Sequence, residues 1–186
     1  MHVLRFVRVL VPVLIVAAVV AAGSSVLSAR PDLQKARRNV DASWSSLSGR
    51  LDQRYVLLAA VDEKFRPIPG PIHSLVSDVD GALGRWRDAR AHSSVASQVH
   101  AANDVEGLAR RLVATASVSP RVRSNAAALT ALGRFLRDPS RGPAGAFNDV
   151  VAKYEHERHG PVREVVASVL GDDSIPVLDT TATPTS

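Results

Sequence analysis

Cysteine is absent from the 186 residues of this sequence. That absence excludes disulfide bonds, thiolate metal sites, cysteine nucleophiles and a lipidated cysteine. Aromatic residues are scarce at 4%, so a core must be built mainly from alanine, valine and leucine. The hydrophobic fraction of 46% and the charged fraction of 22% are ordinary for a folded protein and too apolar for a wholly disordered one. The length suits one anchored domain.

Residues 9–29 carry no charge, and this stretch of 21 residues is bracketed by Arg8 and Arg30. As a helix it would be about 31 Å long, close to the hydrocarbon thickness of a bilayer. Its middle, residues 13–20, has no polar face to place in water. We therefore predict a membrane anchor within residues 1–30, with the lipid bilayer as the partner of residues 9–29.

A cleaved secretory signal is the alternative interpretation of the same stretch. Arg5 and Arg8 would be its basic head, and the small residues around Ala22 and Gly23 suit a cleavage site. Basic residues lie on both flanks of the stretch, because residues 35–38 add a lysine and two arginines. The positive-inside rule therefore does not decide the orientation of the larger domain. Cleavage and orientation both stay open at this point.

The rest of the chain is patterned as long amphipathic helices. Pro31 stands where a helix can begin, and apolar residues then recur every three or four positions over about nine turns. Three prolines within residues 67–71 end this stripe, and a second stripe, richer in alanine and serine, follows. The first stripe comprises Leu33, Ala36, Val40, Trp44, Leu47, Leu51, Tyr55, Leu58, Val61 and Phe65. The second comprises Leu75, Val79, Leu83, Trp86, Ala89, Ser93, Ala96, Val99, Ala102, Val105, Ala109, Leu112 and Ala116.

Two more helices are expected before the C-terminus. Ser119 followed by Pro120 is a typical helix start, and residues 138–143 break or kink that helix. The final helix ends at Gly160, and a short helical piece is expected over residues 162–170. The apolar face of the first is expected to hold Val122, Ala126, Leu129, Leu132 and Leu136. That of the second is expected to hold Phe147, Val150, Val151 and Tyr154.

No strand pattern competes with these helices, and long helices joined by short breaks must bury their stripes against one another. The predicted fold is therefore all-α: a single N-terminal transmembrane helix followed by an antiparallel bundle of about four long helices. The bundle is assigned to residues 31–171. Residues 172–186, which end in a stretch rich in threonine, proline and serine, are expected to form a largely disordered tail.

Little in the sequence points to catalysis. It contains no nucleophile elbow, phosphate-binding glycine loop or dinucleotide fingerprint, and no pair of carboxylates is fixed by spacing as acid and base. His156 and His159 are one residue short of the zinc-protease spacing, and they suit the C-terminal end of a helix as partial positive charges. We therefore predict a non-enzymatic protein with no catalytic, cofactor-binding or metal-binding residues.

The charge balance does not indicate nucleic-acid binding. Beyond the anchor there are 21 basic and 18 acidic residues, interspersed along the chain, which leaves a net charge of +3. Exposed aromatic residues for base stacking are lacking. No small-molecule substrate is evident either. The basic cluster of residues 30–38 lies beside the predicted anchor, where it suits contact with anionic head groups.

Several motifs together resemble the LemA family, over about residues 32–178. The first helix carries Asn39, Val40, Trp44, Leu47, Leu51, Arg54 and Tyr55. The middle segment carries Asn103, Glu106, Leu108, Leu112, Ala116, Pro120, Asn125 and Leu129. The last helix carries Phe147, Asn148, Val150 and Tyr154, and the closing segment runs from Gly160-Pro161 to Leu170-Gly171. The chain departs from the family pattern at residues 56–60, at the proline-rich insert of residues 67–71 and at residues 137–144.

The resemblance implies a membrane-anchored antiparallel helical bundle without established enzymatic activity. It also implies partnership with other membrane proteins, membrane-linked proteases among them. Trp44, Tyr55, Phe147 and Tyr154 are expected to serve core packing and helix–helix contact, as is Asn148, which would need hydrogen-bond partners if buried. The sequence thus favours a structural or interaction protein at the membrane. The alternative is a secreted helical binding module of the cell envelope, released by signal cleavage.

Overall fold

The computed structural model describes residues 3–139, 142–160, 163–164, 167–168 and 173–179, with side chains from residue 31 onward. The described residues form helices and connecting segments, with no strand among them, which confirms the all-α class. The helices are α1 (Val3–Phe65), α2 (Pro71–His92), α3 (Val95–Val118), α4 (Pro120–Arg123), α5 (Ala126–Leu136) and α6 (Gly142–Arg158).

The helix α1 is the central element of the bundle, since it packs against α2, α3, α5 and α6. The predicted first stripe faces this core: all its members are buried except Ala36, which is partly buried against the core. Pro31 was expected at a helix start, but it lies inside α1. A proline within a helix costs one backbone hydrogen bond, and here the helix continues through it.

The helices alternate in direction, as an antiparallel bundle requires. Ring contacts join Trp44 to Phe147 and place Arg37 over Tyr154, so α6 runs antiparallel to α1. The helix α2 also runs antiparallel to α1, and α3 returns parallel to it. The helices α1, α2 and α3 occupy three positions in the bundle, and α5 and α6 share the fourth, where both pack on α1. Six helices are thus described where about four long ones were predicted: α2 and α3 replace the second predicted helix, and α4 and α5 replace the third.

The second stripe does not form one helix, as the sequence pattern suggested. It breaks at Ser93 and Ser94, between α2 and α3. The hydroxyl of Ser94 accepts the amide N–H of Ser97 and caps the new helix, and the side-chain amide of Gln98 donates to the carbonyl of Ser93. Ser93, expected on the apolar stripe, is exposed at the end of α2.

The expected face of the next helix is also wrong in part. Ser119 caps a helix that begins with Pro120, as predicted, but this helix ends at Arg123. Asn125 then caps α5 by accepting the N–H of Ala128 at 3.1 Å. The break shifts the helical phase. The buried residues are therefore Val122, Ala128, Leu132 and Phe135, whereas Ala126, Leu129 and Leu136 are exposed.

Residues 173–179 extend the folded part of the chain beyond the expected boundary at residue 171. They form neither helix nor strand, but Ile175 and Leu178 are buried in the core. Of the short helical piece expected over residues 162–170, only residues 163–164 and 167–168 are described, and they are helical. Residues 180–186 of the expected tail lie outside the described set.

Within the part of the chain that the structure describes, no helix combines the length and the apolar character needed to span a bilayer. The anchor predicted over residues 9–29 falls on residues whose side chains lie outside that part.

Candidate functional site

Residues 173–179, which we call the strap, lie along a groove between α3 and α6. Asn103 on α3 donates its side-chain amide to the carbonyl oxygen of Val177 at 2.9 Å. Its side-chain oxygen accepts the backbone N–H of Asp179 at 2.7 Å. One side chain therefore satisfies two backbone groups that flank Leu178.

Asn148 on α6 makes the complementary pair of hydrogen bonds. It donates to the carbonyl oxygen of Leu178 at 2.9 Å and accepts the N–H of the same residue at 2.8 Å. Asn103, on the neighbouring helix, binds the backbone groups of the two flanking residues, Val177 and Asp179. The two asparagines therefore hold the backbone around Leu178 from both sides of the groove.

The first half of the strap is held by side chains at the other end of α6. A carboxylate oxygen of Glu155 accepts the backbone N–H of Ile175 at 2.8 Å and the hydroxyl of Ser174 at 3.1 Å. The hydroxyl of Tyr154 donates to the carbonyl of Asp173 at 3.2 Å. The strap therefore runs antiparallel to α6, with its backbone polar groups bonded to side chains rather than to another backbone.

Apolar side chains of the strap enter the core at a spacing of three. Ile175 and Leu178 are 2% and 1% exposed, whereas Val177 between them is 55% exposed. Three residues per turn is the period of the polyproline II helix, which has no internal hydrogen bonds and leaves its backbone free to bond elsewhere. Pro176, which fixes its own φ and has no N–H to satisfy, suits this conformation.

An ion pair fixes the C-terminal end of the strap. A guanidinium nitrogen of Arg110 on α3 lies 2.8 Å from a carboxylate oxygen of Asp179. The hydrogen bond from Arg110 to this carboxylate is the main cause that raises the pKa of the guanidinium. Taken together, the groove can bind an extended segment through its backbone, two apolar side chains and a carboxylate.

A second polar centre lies inside the bundle, around Arg54 of α1. Its guanidinium bonds both carboxylate oxygens of Glu106, at 2.8 and 3.4 Å, and donates to the carbonyl of Phe135 at 3.3 Å. The same group lies 4.0 Å from the ring centroid of Phe135 and 3.6 Å from a carboxylate oxygen of Asp138. Because Arg54 is 1% exposed, these contacts replace its water shell and tie α1 to α3 and to the end of α5.

The aromatic residues form a cluster at the level of Trp44. Its indole packs edge-on against Trp86 at 6.2 Å and tilted against Phe147 at 5.1 Å, and Tyr55 packs edge-on against Trp86 at 5.1 Å. The indole N–H of Trp44 donates to Gln98 at 2.7 Å. The prediction that Trp44, Tyr55, Phe147 and Tyr154 are core residues is confirmed, since all four are buried.

Burial also changes the chemistry of the Tyr55 hydroxyl, which donates to the carbonyl of Ala102 at 3.3 Å. Burial is the largest cause that raises the pKa of Tyr55 well above its usual value. The carboxylates of Glu106 and Asp52 add to the rise, and Arg54 opposes it. The phenol is therefore held neutral as a hydrogen-bond donor.

The two histidines considered as metal ligands do not lie in a shared polar site. His156 and His159 are both exposed, and His159 lies 3.9 Å from the carboxylate of Glu164. Across the described residues, no group of three or more histidine, aspartate or glutamate side chains lies close enough to hold a metal ion.

No protein-family model, curated protein or solved structure matches this chain.

Asn148 was expected to take part in helix–helix contact and to need hydrogen-bond partners if buried; its partners belong to the strap. Asn103, Glu106 and Arg54 appeared in the sequence only as residues that carry the family resemblance. The spacing of Arg54 along the sequence is a signal of its burial. Arg54 lies three residues after Leu51 and four before Leu58, at a core position of α1.

Proposed function

We propose that this chain is a non-enzymatic interaction protein of the LemA type, an adaptor or scaffold held at a membrane by residues 9–29. The continuity of α1 carries this proposal. The uncharged stretch and the buried stripe from Leu33 to Phe65 belong to one helix, which is 63 residues long. A helix that continues from an anchor into a core, without a loop between them, sets the bundle at a fixed position relative to the bilayer.

The polar centres of the bundle support an interaction role rather than a reaction. Arg54 bonds Glu106 and the carbonyl of Phe135 and lies near Asp138, so its guanidinium is engaged in contacts between helices. Asn103 and Asn148 hold backbone groups of an extended segment. This is the chemistry of peptide recognition, in which main-chain hydrogen bonds supply affinity and side-chain pockets supply specificity.

The polar residues on which the LemA resemblance rests take part in contacts between helices or with the strap. Arg54 with Glu106, and Asn103 with Asn148, come from separate motifs along the sequence, yet each pair meets at one place in the fold. Residues from motifs that are far apart in the sequence therefore act together in the fold. They fit a helical bundle that other membrane proteins contact.

The alternative proposal is a secreted binding module of the cell envelope. It rests on the small residues around Ala22 and Gly23, which suit signal cleavage after a short basic head. In that case the bundle would keep its groove and its core but lose the anchor.

Photo-cross-linking in native membranes tests the interaction role. A photoreactive amino acid is placed, one position at a time, at Val56, Val118 and Val177, which are 69%, 73% and 55% exposed. A partner that docks on one face gives a discrete adduct from one position, and the other positions serve as matched controls. Recovery of the chain alone, or only of its own cross-linked dimer, from all three positions contradicts the proposal.

A further inference from the structure

The groove between α3 and α6 binds the strap mainly through atoms that any peptide possesses. Six strap backbone groups bond to four side chains: Asn103, Asn148, Tyr154 and Glu155. The strap forms neither helix nor strand, so its buried backbone groups need partners from side chains. Bonds of this kind do not depend on the side chains of the bound segment, so they can hold an extended chain of variable sequence. We propose that this groove is a peptide-recognition site for an extended segment of a partner protein, and that the strap is its built-in competitor.

The strap itself defines the chemistry of the ligand. Ile175 and Leu178 fill the core at a spacing of three, so the ligand carries two apolar residues three positions apart. Asp179 pairs with Arg110, so a carboxylate directly follows the second apolar residue. Val177 is mostly exposed, and the position it occupies tolerates most side chains. A proline between the two apolar residues favours the bound conformation because it restricts the free peptide.

The strap is suited to exchange because few core contacts hold it. Only Ile175 and Leu178 are buried among its seven residues, and its hydrogen bonds are made to side chains rather than within a helix. Segments with few buried apolar contacts open at a lower free-energy cost than the core. When the strap leaves, the two asparagines, Glu155 and the apolar pockets become available to another peptide of the same chemistry.

A tethered competitor weakens binding in trans by a predictable amount. A tethered competitor of this kind has an effective concentration on the order of 1 mM. A strap that binds the open groove with a dissociation constant of roughly 10 μM then keeps the groove closed about 100-fold more often than open. A peptide of any affinity for the open groove would therefore bind the closed protein about 100-fold more weakly, because only the open fraction accepts it. This inference rests on the proposed interaction role but not on the membrane anchor.

Fluorescence anisotropy with a labelled peptide of residues 172–180 tests the site in the full-length protein. The variant Leu178→Glu removes the strap from its pocket and leaves the groove residues unchanged. We expect it to bind the peptide at least 10-fold more tightly than the unmodified protein does. Val177→Glu places the same charge at the exposed neighbouring position and is expected to behave as the unmodified protein. Adding Asn148→Ala to Leu178→Glu should lower the affinity at least 10-fold.

Three results would overturn the proposed peptide site. If Leu178→Glu is folded by circular dichroism and urea denaturation and does not bind the peptide, the proposal is overturned. If it does not fold, the milder Leu178→Ser replaces it under the same criterion. Equal binding by all variants means non-specific adsorption and also overturns the proposal. A dimer of the unmodified protein that Leu178→Glu dissociates would mean that a second copy occupies the groove, which overturns the proposal of a partner protein. Adducts from Val56 or Val118 in membranes would still support the wider interaction role if the peptide fails to bind.

Discussion

Arg54 and Glu106 form an ion pair at 2.8 Å between α1 and α3, although 52 residues separate them in the sequence. Both side chains are almost fully buried, at 1% and 4% exposure. A buried pair of this kind gives little net stability over apolar residues of the same size, but removing one partner leaves an uncompensated charge in the core. The pair therefore penalises any arrangement of the helices that separates α1 from α3.

Glu106→Gln is expected to lower the free energy of unfolding by about 3–5 kcal/mol, because it leaves Arg54 without its main counter-charge. Asp41→Asn is the matched control, since it breaks the exposed Arg37–Asp41 pair and should cost less than about 1 kcal/mol. Urea denaturation followed by tryptophan fluorescence measures both. Replacing both buried partners, as Arg54→Met with Glu106→Leu, should recover most of the loss. A single-variant cost no larger than the control's would contradict the assigned role.

Trp44→Ala is expected to cost about 3–5 kcal/mol, since it empties the centre of the aromatic cluster. Trp44→Phe should cost less, because it retains an aromatic ring in the core and Gln98 keeps its bond from Arg90. Val56→Ala on the exposed face of α1 should change stability by less than about 0.5 kcal/mol. Equal losses at positions 44 and 56 would show that the indole is not a core residue.

The raised pKa of Tyr55 predicts a loss of stability in alkali. In the unfolded chain tyrosine ionises near pH 10, whereas the folded chain still holds the proton at that pH. The unfolded state is therefore favoured progressively as the pH rises above about 10 and up to the folded pKa. At pH 8, Tyr55→Phe should lower the free energy of unfolding by about 0.5–1.5 kcal/mol, because it removes the hydrogen bond to Ala102. Between pH 8 and pH 11, the stability of Tyr55→Phe should fall less than that of the unmodified protein, as urea denaturation at each pH would measure. The same alkaline slope in both proteins would contradict the prediction.

Two glycine-to-alanine substitutions should change stability in opposite directions. Gly70 precedes α2 with φ 102° and ψ −155°, a conformation nearly restricted to glycine, so Gly70→Ala should cost about 1–3 kcal/mol. The space around it is not the obstacle, since an added Cβ would meet only Arg121 at 3.7 Å. Gly49 lies on the exposed side of α1 with open space around it, and Gly49→Ala should add about 0.8–1.0 kcal/mol. Thermal unfolding should show a lower midpoint temperature for Gly70→Ala and a higher one for Gly49→Ala than for the unmodified protein.

Helical periodicity predicted the fold well where apolar side chains alone decide burial. The stripe of α1 is the clearest case. It was less reliable where polar side chains end a helix: the caps at Ser94 and Asn125 divide segments whose apolar residues still repeat at helical spacing. A capping serine or asparagine looks the same in a sequence as one on a solvated helix face, so the break and the shifted face of α5 were missed.

The two polar centres differ in how far their residues can be predicted from the sequence. Arg54 and Glu106 both stand at core spacing, the latter four residues after Ala102 and three before Ala109, and opposite charges at core positions of two helices predict a buried pair. The strap had no such signal, because its burial depends on Asn103 and Asn148 from distant helices rather than on a local period.

Membrane anchoring through residues 9–29 is tested by the intact mass of the chain recovered from alkali-washed membranes. We expect a full-length chain of 19.8 kDa in the membrane pellet, because residues 9–29 would be retained as the anchor that continues into α1. A chain shortened by about 22 residues and released to the soluble fraction would mean signal cleavage. That result would contradict membrane anchoring and favour the secreted binding module.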